Sequence, residues 1–81
     1  MTTELRDYGD KMMVVLHTQN ERIYRKLSKS TLLVKEVPYM QNQKGKVKMV
    51  GVDLYFPRTW RRWVRQQVKK IDPSEVLTIA D

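Results

Sequence analysis

Apolar positions recur with two different periods along this chain, and the change of period divides it into strands and helices. From Lys11 to Thr18 the chain is almost continuously apolar and is bounded by Gly9-Asp10 and Gln19-Asn20, the pattern of a buried strand. A short helix follows, with Asn20 as its N-cap and Ile23, Tyr24 and Leu27 on one face. Arg22, Arg25, Lys26 and Lys29 then fall mostly towards solvent. Thr31 to Tyr39 and Gly45 to Phe56 read as two strands joined by a polar hairpin loop over Gln41 to Gly45, and Pro38 keeps the first of them from a central place in the sheet. In the second, Val47 and Met49 alternate with Lys46 and Lys48, whereas Val52, Leu54 and Phe56 alternate with Asp53 and Tyr55. The apolar phase flips at Gly51, which predicts a bulge or sharp bend there. Pro57 ends the strand, and from Arg58 or Thr59 the period becomes helical. Trp60, Trp63, Val64, Gln67, Val68 and Ile71 share one face, Thr59 is the expected N-cap, and Asp72-Pro73 is the stop. Glu75 to Ala80 reads as a closing strand in preference to a short helix capped by Asp72, because Val76, Thr78 and Ile79 are β-branched.

These elements predict an α+β fold, a small antiparallel sheet or barrel of three to four strands with one principal amphipathic basic helix over about 59–71. No repeat or linker interrupts residues 1–81, so one domain is expected, with residues 1–10 as a loose start poor in apolar side chains. A chain of 81 residues builds a thin core, and a homodimer is the expected remedy. It has no cysteine with which to form a disulfide framework. The acidic N-terminus does not resemble a secretory signal, and the longest apolar run, Met12 to Leu16, is too short to cross a bilayer, so a soluble, cytoplasmic protein without a membrane part is expected.

Charge adds a direction to this picture. Sixteen Lys and Arg oppose nine Asp and Glu, a net charge of +7. Arg22 to Lys48 carries +7 and Arg58 to Lys70 carries +6, while the first ten residues carry −2 and the last ten −3. A positive field of this kind gathers polyanions. Helical spacing groups Arg58, Arg61, Arg62, Arg65 and Lys69 opposite the apolar face, and no acid occurs between Asp53 and Asp72 to offset them. Guanidinium forks in that arrangement suit phosphate oxygens. Lys44, Lys46 and Lys48 form a second basic element at a hairpin tip, fit for phosphates or guanine edges and equally for a lysine-protected sheet edge. The two tryptophans, spaced with Val64 and Val68, read as core in preference to base-stacking rings.

Nothing in the chain has the makings of an enzyme site. His17 stands alone without Cys or a second His, Ser28, Ser30 and Ser74 lack a base, and there is no Gly-rich phosphate loop, so neither metal, cofactor nor catalytic residue is expected. The expected partner is nucleic acid, with double-stranded DNA before RNA, in a regulatory or architectural role. The rival from another class is an inhibitor or adaptor that docks the same basic helix on an acidic protein.

The stretch Val50-Gly51-Val52-Asp53-Leu54-Tyr55-Phe56-Pro57-Arg58-Thr59-Trp60-Arg61 resembles the core motif of the AbrB/MazE-type swapped-hairpin DNA-binding family, and Lys70 to Ile79 looks like that family's turn and final strand. The resemblance covers residues 45–81. It implies an interlocked homodimer that binds DNA, with Arg58 and Arg61 matching the family's basic residues after the proline. The chain departs from the pattern in its longer helix, in Ser74 at the turn, in Val52-Asp53, and in 44 preceding residues without a counterpart.

Overall fold

A computed structural model describes residues 2–9 and 12–80. Five strands form one mixed sheet and two helices cover one of its faces. In chain order these are β1 (Thr2–Asp7), β2 (Met13–Thr18), α1 (Glu21–Leu27), β3 (Lys35–Gln43), β4 (Lys46–Pro57), a single 3-10 turn (Arg58–Trp60), α2 (Arg61–Ile71) and β5 (Val76–Ala80). The spatial order is β3-β4-β2-β1-β5. Neighbours are antiparallel except β1 and β5, which run parallel. The expected three to four antiparallel strands with one principal helix are thus corrected to five strands in a mixed sheet with two helices.

β1 occupies the stretch expected to be loose. It lies between β2 and β5, where backbone pairing on both sides supplies what its single buried aliphatic side chain, Leu5, does not. Met1 and Asp10 of that stretch, and Lys11, the expected first residue of the next strand, lie outside the described residues.

Side chains of one strand alternate between faces, so each phase of the pattern has its own side. Leu5, Val14, Leu16, Val52, Leu54 and Phe56 point to the helices and close on Ile23, Leu27, Val64 and Val68. α1 begins as its sequence suggests: the Asn20 side chain accepts from the amides of Arg22 and Ile23. α2 begins otherwise. Thr59 does not cap it, because the chain first makes the 3-10 turn, and that tighter winding carries Trp60 off the apolar face and leaves it 42% exposed. Trp63 and Ile71 do pack against the core, and Asp72 ends the helix in extended geometry.

Behind this core lies a buried polar cluster. Glu75 accepts from Thr3 Oγ1 at 2.8 Å and from Asn20 Nδ2 at 2.6 Å, and Thr3 and Thr18 share a hydroxyl contact of 2.8 Å. The cluster ties β1, β2, the start of α1 and the segment after α2 to one another. Asp72 extends it: the Ser74 hydroxyl, then the Asn20 amide, hold its carboxyl below the usual aspartate range.

The phase flip is a bulge. Tyr39 pairs with Gly51 but Met40 pairs with Met49, which leaves Val50 as the extra residue of β4. β2 accompanies β4 only from Val52 to Pro57, so Met40–Gln43 and Lys46–Val50 run on as a two-stranded ribbon. The first strand of this hairpin lies four residues later than the expected Thr31 to Tyr39 and the second one residue later than Gly45 to Phe56, and the turn shrinks to Lys44 (φ 51°) and Gly45 (φ 79°). A Cβ at position 45 meets no atom but must adopt left-handed backbone, so Gly45→Ala is expected to cost about 1 kcal/mol in a urea unfolding curve.

Candidate nucleic-acid interface

Both helices lie on the same side of the sheet, and their outer surfaces make one basic layer. Together α1 and α2 carry eight Lys and Arg against one acid, Glu21, which is bound to Arg25 at 2.6 Å. Arg22, Arg25, Lys26 and Lys70 face each other with Gln67 and Ile71 across the cleft between the helices. This cleft was missed in the sequence because α1 is only seven residues long and its cations gain a partner set only when α2 packs beside them.

The basic residues chosen from α2's spacing do not stay together. Arg58 and Arg61 both turn to Asp7 of β1, each 3.7 Å from its Oδ2. Lys69 donates from Nζ to the Glu75 carbonyl at 2.6 Å and ties α2 to the segment that leads into β5. Arg62 and Arg65 line the groove between α2 and β5, with Gln66, Leu77 and Ile79. Both are exposed, and neither has an acidic partner among the described residues. Of the four arginines expected to share this face, the two most available to an anion are therefore Arg62 and Arg65, while Asp7 offsets Arg58 and Arg61.

Lys44, Lys46 and Lys48 sit on the ribbon, and Lys48, nearest the body of the sheet, also lines a groove with Tyr24 and Arg25 of α1. Register places Lys46 opposite Gln43 and Lys48 opposite Gln41, so these four share one ribbon face, while Met40, Asn42, Val47 and Met49 share the other. Met49 packs towards the core on the helix side, which turns the Gln and Lys face to the open side of the sheet.

That open side contains a constellation that sequence spacing did not reveal. The pairing places Glu4, His17, Asp53 and Val37 in one row across four strands, and Arg6, Val15, Tyr55 and Lys35 in the next. Asp53 is only 3% exposed, and its two oxygens take one bond each, from His17 Nδ1 at 2.7 Å and Tyr39 Oη at 2.5 Å. The His17 and Tyr39 rings meet edge to face at 5.4 Å, and the bare Cα of Gly51 lies beside the imidazole. Farther along, Tyr8 and Tyr55 meet at 90° with the Lys35 ammonium 4.6 Å from the Tyr55 centroid. An Asp within the apolar alternation of β4 was the one sequence signal for this cluster; its partners come from strand register.

The hydrogen bond to Asp53 raises the pKa of Tyr39 above 10.0, and burial raises that of Tyr55. A proton held more tightly in the folded chain than in the unfolded one contributes stability that is complete below pH 10 and is lost as pH rises through the raised value. Urea unfolding from about pH 9 upward is therefore expected to show stability falling above about pH 10, and Tyr39→Phe should remove part of that slope while Tyr55 keeps the rest.

Among the described residues, no group of three or more His, Cys, Asp or Glu is placed to hold a metal ion, and no helix is long and apolar enough to cross a membrane. No protein-family model matches the chain, and neither does any curated protein or solved structure.

Proposed function

We propose that the protein binds nucleic acid through its helix layer, duplex DNA before RNA, in a regulatory or architectural role. The observation that supports this most is the charge of that layer: eight cations and one acid on two helices that share one side of the sheet. Phosphates would be met by Arg62 and Arg65 in the outer groove and by Arg22, Lys26 and Lys70 in the cleft between the helices. Arg58, Arg61 and Lys69 would add field while remaining tied to Asp7 and Glu75. The resemblance of residues 45–81 to the swapped-hairpin DNA-binding family points the same way.

A homodimer belongs to this reading. Met40 and Val47, on one face of the ribbon, remain more than half exposed, an apolar surface that a second copy would cover. Two copies would also double the phosphate contacts on one duplex.

The deciding measurement is a salt titration of binding to random-sequence duplex, with nuclease-treated protein. The expected slope of log affinity against log salt is about −0.9 for each phosphate contacted. A slope near zero would end the proposal, and absence of binding at low salt would redirect the basic layer to an acidic protein surface.

A further inference from the structure

The open face of the sheet is a surface of a different kind from the helix layer, and we propose that it binds single-stranded nucleic acid, with Tyr39 as the stacking ring. This goes beyond the helix-layer reading, because the two surfaces lie on opposite sides of the sheet and share none of the residues named for either.

Two properties make Tyr39 a platform. The residue is 43% exposed, and its ring is nonetheless held in place by its hydroxyl on buried Asp53 and by the edge-to-face contact with His17. A base that stacks on a ring already fixed loses little to ordering it, and every base offers a π-face to such a ring. Beyond Tyr39 the same face continues along the ribbon as Gln41 and Gln43 beside Lys48 and Lys46. Residues of one face follow each other at roughly 7 Å along a strand, so a strand stacked at Tyr39 is carried past two amide and ammonium pairs in succession. The amides suit base edges, which a single strand leaves unpaired, and the ammonium groups suit phosphates.

Charge points to the same occupant. Of the two acids on this face among the described residues, Glu4 lies 3.9 Å from Arg6, and Asp53 is buried beneath Tyr39 and His17. A second copy of the chain fits less well, because the ribbon part of the face consists of long polar side chains, whereas stable homodimers close on apolar ones.

The test is binding of the full chain to labelled 20-mers of oligothymidine and oligouridine, which form no duplex, in parallel with the duplex titration. Tyr39→Ala and the Lys46→Ala, Lys48→Ala pair should each weaken single-strand binding roughly tenfold and leave duplex binding within about twofold. Arg62→Ala, Arg65→Ala should do the reverse, so failure of either proposal is visible separately. A third oligomer, of deoxyuridine, separates a preference for the sugar from one for the thymine methyl. Because Tyr39→Ala also removes a bond to Asp53, the unaltered protein should be photocrosslinked to a 5-bromouracil oligomer and digested, with the crosslink expected on the peptide that contains Tyr39. Crosslinks confined to the helix layer, or single-strand affinity insensitive to Tyr39 and to the ribbon lysines, would overturn the proposal. Absence of single-strand binding, or protection of Tyr39 by self-association, would overturn it equally.

Discussion

Replacement of Arg62 and Arg65 together by alanine is expected to weaken binding to random-sequence duplex DNA at least roughly tenfold at low salt, and to flatten the salt dependence by about two. Both side chains are exposed and without an acidic partner among the described residues, so the variant should unfold within about 0.5 kcal/mol of the parent protein. The loss would then report on contact with the ligand and not on folding. Arg58 and Arg61 predict a smaller change, because Asp7 already offsets them. Asp7→Asn supplies the opposite sign: relieved of that carboxylate, the same two arginines should give tighter binding and a steeper salt dependence. Titrations of the three proteins side by side decide the matter, and an unchanged slope in the double variant would place the binding surface elsewhere.

The second large effect concerns Glu75. This buried carboxylate receives Thr3 and Asn20, and Asn20 also caps α1. Glu75→Ala removes the acceptor that each shares and leaves the hydroxyl with Thr18 and the amide with Asp72 as remaining partners, a cost of about 3 kcal/mol for the two lost bonds. In a domain of this size that corresponds to a fall in Tm of roughly 15 °C. Glu75→Gln restores one acceptor and should recover part of the loss. Thermal melts followed by circular dichroism separate the three proteins. If Glu75→Ala melted within a few degrees of the parent, the cluster would not be what joins β5 to the rest of the sheet.

The parts of this fold that were legible in the sequence are those whose signal is local. Asn20 before Ile23, Tyr24 and Leu27 announced α1, the phase flip at Gly51 announced the bulge, and Asp72-Pro73 announced the end of α2. The β-branched run after Glu75 favoured β5 over a helix, and Pro38 stands on an edge strand. What escaped depends on partners distant in the chain. β1 shows three charges and one Leu in six residues, and it holds an interior position because β2 and β5 flank it. Trp60 was misplaced because a helical wheel assumes uniform winding, and one 3-10 turn shifts the phase. For the candidate interface, helical spacing put Arg62, Arg65 and Lys69 on the solvent side of α2 but could not say that Asp7, 54 residues before Arg61, would take up Arg58 and Arg61. Asp53, His17 and Tyr39 were each visible in the sequence; their meeting follows only from register.

The sheet ends in two unlike edges. On β3 a proline withholds one amide and the bulge skews the strands, so another chain finds no continuous row of donors and acceptors there. β5 offers the reverse: Val76–Ala80 has neither proline nor charge and is rich in β-branched side chains, with Val76 and Ile79 exposed. If this protein is ever driven into fibrils, growth will start at the β5 edge, and a lysine in place of Thr78 is the substitution that keeps concentrated solutions clear.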